Sequence, residues 1–169
     1  IALERKMLLP LLKRAHVIVD TTALAPGQLK RIFGGHYGSE DKPGLFVYVT
    51  SFGFRNGLPR EADLVFDVRF LANPHYDPEL RSLTGRDDGV RSFIRGDDAL
   101  EPFFDNLTTL LAPLLPRYAA EGKSYLGIAV GCTGGRHRSV YGADRLAAWL
   151  EDRGQRVQTH HRDLDRQES

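Results

Sequence analysis

Nine consecutive residues, Gly131 to Ser139, read GCTGGRHRS and gather a thiol, two hydroxyls, an imidazole and two guanidiniums around three glycines. The run follows an apolar stretch, SYLGIAV at 124 to 130, and precedes Val140, Ala143, Leu146, Ala147 and Leu150, which fall at helical spacing before Gly154. A buried strand passing through glycines into a helix aims backbone N–H groups at one point, where the helix dipole favours an anion. Gly131, Gly134 and Gly135 allow close approach, Thr133 and Ser139 offer hydroxyl donors, and Arg136, His137 and Arg138 offer charge. The bland alternative is a tight turn with a solvated basic edge, and the density of donors in nine residues favours anion binding over it. A phosphate-bearing ligand is therefore expected on Cys132, Thr133, Gly134, Gly135, Arg136, His137, Arg138 and Ser139.

The pattern is not the nucleotide loop GxxxxGK[ST], which occurs nowhere in the chain, nor the dinucleotide fingerprint. Cys132 and Arg138 do have the spacing of the tyrosine-phosphatase signature, cysteine, five residues, arginine, in which a thiolate attacks phosphorus. Gly131 stands where that signature commonly has histidine, and no aspartate is assignable as general acid. The expectation is a binding loop with no catalytic residue, cysteine phosphatase being the enzymatic alternative.

The rest of the chain must position this loop. LFVYVTSF at 45 to 52 and DLVFDVRF at 63 to 70 read as strands, RVQTHH as a last strand, and residues 100 to 118 as an amphipathic helix that Pro113 and Pro116 should bend or split. Residues 71 to 98 show little periodicity and several turn formers. Ahead of these, Leu8, Leu11 and Leu12 lead into the β-branched run HVIVD at 16 to 20, and TTALAPGQLKRIFGG suggests a weak helix capped by Thr22. Residues 36 to 44, HYGSEDKPG, form the expected linker, with a boundary near Asp41 separating 1–41 from 42–169.

Alternating strands and helices predict a layered α/β fold with a largely parallel sheet and flanking helices. In such sheets ligands sit beyond the carboxyl ends of the strands, which makes Ser51, Phe52, Asp67, Arg69, Asn73 and His75 candidate pocket walls. Each has a structural reading as well. Asp67 and Arg69 could be an ion pair, Asn73 a turn residue before Pro74, and His75 a surface histidine. His160, His161 and Arg162 on the last strand are weaker candidates.

Composition narrows the function classes. The 169 residues carry 23 basic and 22 acidic side chains, a net charge of +1, so no global field selects nucleic acid or anionic lipid. A single cysteine permits no internal disulfide and suits a reducing, cytoplasmic setting. No apolar run reaches the roughly 20 residues of a membrane span, and no histidine or cysteine spacing supports a metal site. The chain opens on isoleucine, with charges interrupting its first apolar positions, which suggests a fragment rather than a signal peptide.

SFGFRNGLPREADLVFDVRFLANPHYDPELRSLTG, then YLGIAVGCTGGRHRSV and RVQTHHRDL, resemble the C-terminal domain of the RapZ (YvcJ) family of bacterial nucleotide-binding proteins and RNase adapters, over about residues 45 to 164. DTTALAPGQLKRIF resembles the end of that family's P-loop kinase-like domain. The resemblance implies a regulatory domain similar in fold to a phosphofructokinase subdomain, which senses glucosamine 6-phosphate or a nucleotide sugar such as UDP-N-acetylglucosamine. It implies ligand contacts at His75, Thr133, Gly134, His137 and Arg138. It further implies ATP or GTP as cofactor of the P-loop region, a homo-oligomer, and small RNA as a partner. Five arginines, Arg136, Arg138, Arg145, Arg153 and Arg156, could serve RNA, but interleaved Asp144, Glu151 and Asp152 favour a salt-bridged surface. At the tail, Asp163, Asp165 and Glu168 offset Arg162 and Arg166, so that segment should neutralise phosphate weakly.

Overall fold

The computed structural model describes residues 19–22 and 44–165. The chain divides into two compact units, Ile1–Gly38 and Ser39–Ser169. In the first, the Thr22 N–H donates to Asp20 Oδ1 at 3.0 Å. The expected first helix, the helix after Thr22, the boundary at Asp41, and Arg166 and Glu168 of the tail lie outside the described residues.

The second unit is built on four parallel strands: β1, Phe46–Gly53; β2, Leu64–Asp67; β3, Tyr125–Cys132; and β4, Arg156–His161. Their order is β2-β3-β1-β4. β1 and β3 are central, and all eight residues of β3 are buried. That is why YLGIAVGC reads as an unbroken run of apolar and small residues rather than an alternation. The fold is the layered α/β class expected, with an all-parallel sheet.

Among the described residues three α-helices accompany the sheet: α1, Asp88–Arg95; α2, Leu100–Ala120; and α3, Arg138–Glu151. Val47, Val49, Leu126, Ile128 and Val130 share one sheet face by register and join Val90, Ile94, Leu107, Leu111, Leu146 and Leu150 of the helices in one core. Burying each such side chain stabilises the fold by about 1.5–3 kcal/mol. The opposite face carries a stack of aromatic rings: Phe46 on Tyr125, Tyr125 on Tyr48, and Tyr48 on His160, with centroids 6.1–6.3 Å apart.

Three sequence expectations are corrected. β2 ends at Asp67 instead of running to 70, because the Asp67 carboxylate accepts the Arg69 backbone N–H at 2.9 Å and turns the chain. The aperiodic stretch 71 to 98 contains α1, whose inward face needs only Val90 and Ile94. α2 is not split but runs as one helix through both prolines. Pro113 and Pro116 lie on its exposed side, where water can satisfy the freed carbonyls, while Leu107, Leu111 and Leu115 anchor the other side at four-residue spacing.

Candidate functional site

β3 delivers the chain to residues 133–137, and α3 begins at Arg138. Gly135 makes this turn with φ 84°, in the left-handed region. A Cβ there would stand 2.7 Å from the Gly53 backbone nitrogen and 2.8 Å from Asp163 Cβ. The loop thus lies backbone to backbone against the end of β1, which only glycine permits. Arg55 N–H donates to Thr133 O at 3.3 Å across the same seam.

Cys132 sits inside the turn. Its Sγ accepts the Gly135 N–H at 3.2 Å and lies 3.1 Å from Ser139 Oγ, and the residue is buried. Ser139 is fully buried as well, so its hydroxyl serves the thiol rather than the surface. Thr133 is the exposed hydroxyl of the loop.

Arg138 is 4% exposed, an unusual position for a guanidinium. Nη1–H groups donate to Arg69 O at 2.7 Å and Leu71 O at 2.9 Å, and Nη2–H reaches Thr133 Oγ1 at 3.4 Å. One side chain therefore ties the turn after β2 to the loop after β3. Its Nε–H is buried and has no protein partner.

His137 is 7% exposed, and its Nε2 is likewise buried without a partner. The Arg81 and Leu83 backbone favours the charged form of the ring without outweighing its burial. Burial, followed by the Arg136 charge, pushes the His137 pKa below that of a free imidazole, with His75 adding to the effect. The His75 and His137 rings stand 6.5 Å apart. His75 itself belongs to the short 3-10 turn Pro74–Tyr76, which Asn73 caps by accepting the His75 backbone N–H at 3.3 Å.

Other candidates take structural positions. Asp67 and Arg69 form an exposed ion pair at 2.7 Å, and the Arg69 guanidinium lies 4.1 Å from the centre of the Phe54 ring. Hydrogen bonding from Arg69 holds the Asp67 carboxyl below its usual range. Ser51 is wholly buried and its Oγ lies 2.8 Å from His161 Nδ1. Phe52 is wholly buried and meets Phe54 edge-on. Neither of these two presents its side chain at the surface. Arg136 donates to Leu164 O and Ser82 O, each at 3.3 Å.

Asp163, read from sequence as a tail charge, is 1% exposed. Its Oδ2 accepts the Gly53 N–H at 2.8 Å and Arg162 Nη2–H at 2.8 Å, while Arg162 also donates to Gly53 O at 3.1 Å. Burial raises its pKa, but Arg162 and the Gly53 N–H outweigh that and hold it below the usual carboxylate range. The sequence signal was the dipeptide Arg162–Asp163 one residue past a strand that parallels β1. Gly85, also missed, donates to Arg136 O at 2.8 Å and closes the site from the side of residues 84–91.

The five arginines considered for RNA do not converge. Arg145 binds Glu101 bidentately at 2.6 and 2.7 Å, Arg153 covers Trp149, and Arg156 opens β4 at the end of the sheet away from the loop. Among the described residues no group of histidine, cysteine, aspartate and glutamate could hold a metal ion, and no helix is long and apolar enough to cross a membrane.

The family profile of the RapZ C-terminal domain matches residues 45–165. Relatives include a nucleotide-binding protein of Paramagnetospirillum magneticum, 62% identical over 162 residues, which cover 96% of this chain and 53% of the relative. Another, from Rhodospirillum centenum, is 59% identical over 98% of this chain and 50% of its own length. A third, from Symbiobacterium thermophilum, is 48% identical over 96% of this chain and 54% of its own length. The chain spans about half the length of these relatives. With the profile spanning every described strand and helix, the chain belongs to the RapZ family and carries its C-terminal domain.

Proposed function

We propose that this domain is a non-catalytic sensor which binds a phosphorylated amino sugar or nucleotide sugar, such as glucosamine 6-phosphate or UDP-N-acetylglucosamine, through the loop at Gly131 to Ser139. One observation carries the reading: two buried nitrogens of adjacent residues, His137 Nε2 and Arg138 Nε, have no protein partner. A buried polar group left unpaired costs about 1–3 kcal/mol, and natural folds keep few of them. Both stand at the start of α3, whose dipole favours negative charge, so a phosphate oxygen is the complement of the pair once the His137 ring takes up a proton on binding. The family resemblance motivates the choice of sugar, and the two unpaired nitrogens motivate the phosphate.

Cys132 fits a positioning role. A thiol that accepts the Gly135 N–H and faces the Ser139 hydroxyl shapes the turn from within. Arg138, which in a phosphatase would grip the transferred group with both terminal nitrogens, has Nη1 committed to two carbonyls. In the longer protein, ATP or GTP would belong to a P-loop region, and this domain would report metabolite level to it.

Calorimetric titration with glucosamine 6-phosphate and UDP-N-acetylglucosamine tests the proposal. Saturable heat from at least one supports it, and no heat from either at millimolar ligand refutes it. Turnover of an aryl phosphate that Cys132→Ser abolishes would overturn the non-catalytic assignment.

A further inference from the structure

Apart from the glycine-rich loop, α1, α2 and α3 border a second cleft of about 450 Å³, lined by Arg91, Arg95, Glu101, Tyr141, Asp144 and Arg145. A few hundred cubic ångströms is the size of a small-molecule site. Arg91 and Arg95 stand four residues apart in α1, a spacing at which like charges repel along a helix face. Tyr141 and Arg145, also four apart, reach the same space from α3.

Each guanidinium is oriented by a protein contact. Arg91 Nε–H donates to Gly85 O, and Arg95 Nε–H to Tyr141 Oη, both at 3.4 Å. Arg145 is fixed by Glu101 and lies 4.3 Å from the Phe104 ring centre. The two acids on the wall are already engaged, Glu101 bidentately by Arg145, and Asp144 by Arg86 at 3.2 Å and His161 at 3.0 Å. The terminal nitrogens of Arg91 and Arg95 have no hydrogen bond or ion pair among the described residues. Two anchored guanidiniums with their forks open, beside a phenol whose proton is free to donate, are arranged to receive an anion.

We infer that this cleft is a second anion site, which takes a small phosphate-bearing molecule on the terminal nitrogens of Arg91 and Arg95 with Tyr141 Oη as a further donor. It shares no residue with the loop from Gly131 to Ser139, so it stands or falls separately from the sensor reading. Glu101 is its internal competitor, since its carboxylate holds Arg145 and lowers the positive potential of the cleft. The Arg145 hydrogen bonds in turn keep the Glu101 carboxyl below its usual range, so it is charged at neutral pH.

The test is an NMR titration of the whole chain with inorganic pyrophosphate, read at the arginine Nε–H signals and, separately, at the His137 ring. Saturable shifts of the Arg91 and Arg95 signals are expected. In Arg91→Gln/Arg95→Gln, pyrophosphate affinity at the cleft, read at the Arg145 signal, should fall by about tenfold or more, the scale of losing two charge-assisted contacts. The loop response at His137 should be unchanged. Glu101→Gln should strengthen binding by about threefold, because it frees a third guanidinium. No saturable shift at millimolar pyrophosphate, undiminished binding in the double variant, or unchanged or weaker binding in Glu101→Gln would overturn the inference.

Discussion

Arg138→Ala should remove the tie that sets the pocket, and its effect on stability can be worked from the structure. The side chain satisfies the buried Leu71 carbonyl at 2.9 Å and the part-buried Arg69 carbonyl at 2.7 Å. A hydrogen bond to a charged group is worth about 1.5–3 kcal/mol, and the Arg69 bond, being nearer solvent, belongs at the low end. Loss of both, with the Leu71 carbonyl left unpaired, comes to about 3–4 kcal/mol. That is a large part of the 5–15 kcal/mol or so that holds a domain folded. Arg138→Lys keeps the charge but cannot reach both carbonyls from one fork, and should lose about 2 kcal/mol. Urea denaturation measures both, as a fall in midpoint at unchanged slope. If Arg138→Ala costs less than about 1 kcal/mol, the guanidinium does not organise the loop and the reasoning fails.

On the proposed function, His137 should make ligand affinity pH-dependent. Its pKa is depressed in the free domain, so the empty ring is neutral at pH 7, and a phosphate beside Nε2 favours the protonated complex. Affinity should therefore rise as pH falls from 8 toward 6, by up to about tenfold per unit, and a flat calorimetric profile would contradict it. Gly85→Ala places a Cβ 2.2 Å from His137 O and 2.6 Å from Tyr141 N, backbone atoms that cannot yield. It should cost about 1–3 kcal/mol or more in a thermal melt, whereas Gly44→Ala, with nothing within 4 Å, should change stability by under about 0.5 kcal/mol. Asp163 has a folded pKa below its ordinary 3.8, so its contribution is complete above that value and lost as pH falls through the folded pKa. Asp163→Asn should accordingly flatten acid unfolding monitored by circular dichroism below about pH 4.

The parallel sheet was legible because β1 and β3 are buried along nearly their whole length, and burial on both faces leaves continuous apolar runs. α1 was not, because an eight-residue helix that buries two side chains has almost no periodic signal. The prolines of α2 suggested a split that does not occur, because proline opposes a helix locally while the Leu107, Leu111 and Leu115 stripe is set by tertiary packing. In the site, the loop was readable from its glycines and donors. The burial of Asp163 was not, since its partner Gly53 lies 110 residues away and sequence spacing carries no trace of that contact. The same limit separates Ser51 and Phe52, which are wholly buried in the strand, from His137 and Arg138, each of which has a buried nitrogen without a protein partner.

The central claim is that His137 Nε2 is a vacant partner for a phosphate oxygen. Nitrogen-detected NMR of the His137 ring during a titration with glucosamine 6-phosphate and, in parallel, UDP-N-acetylglucosamine tests it directly. The account predicts that one ligand moves the Nε2 resonance saturably from the unprotonated to the hydrogen-bonded, protonated range. A ring that stays neutral and unshifted while either ligand binds elsewhere on the chain would contradict it.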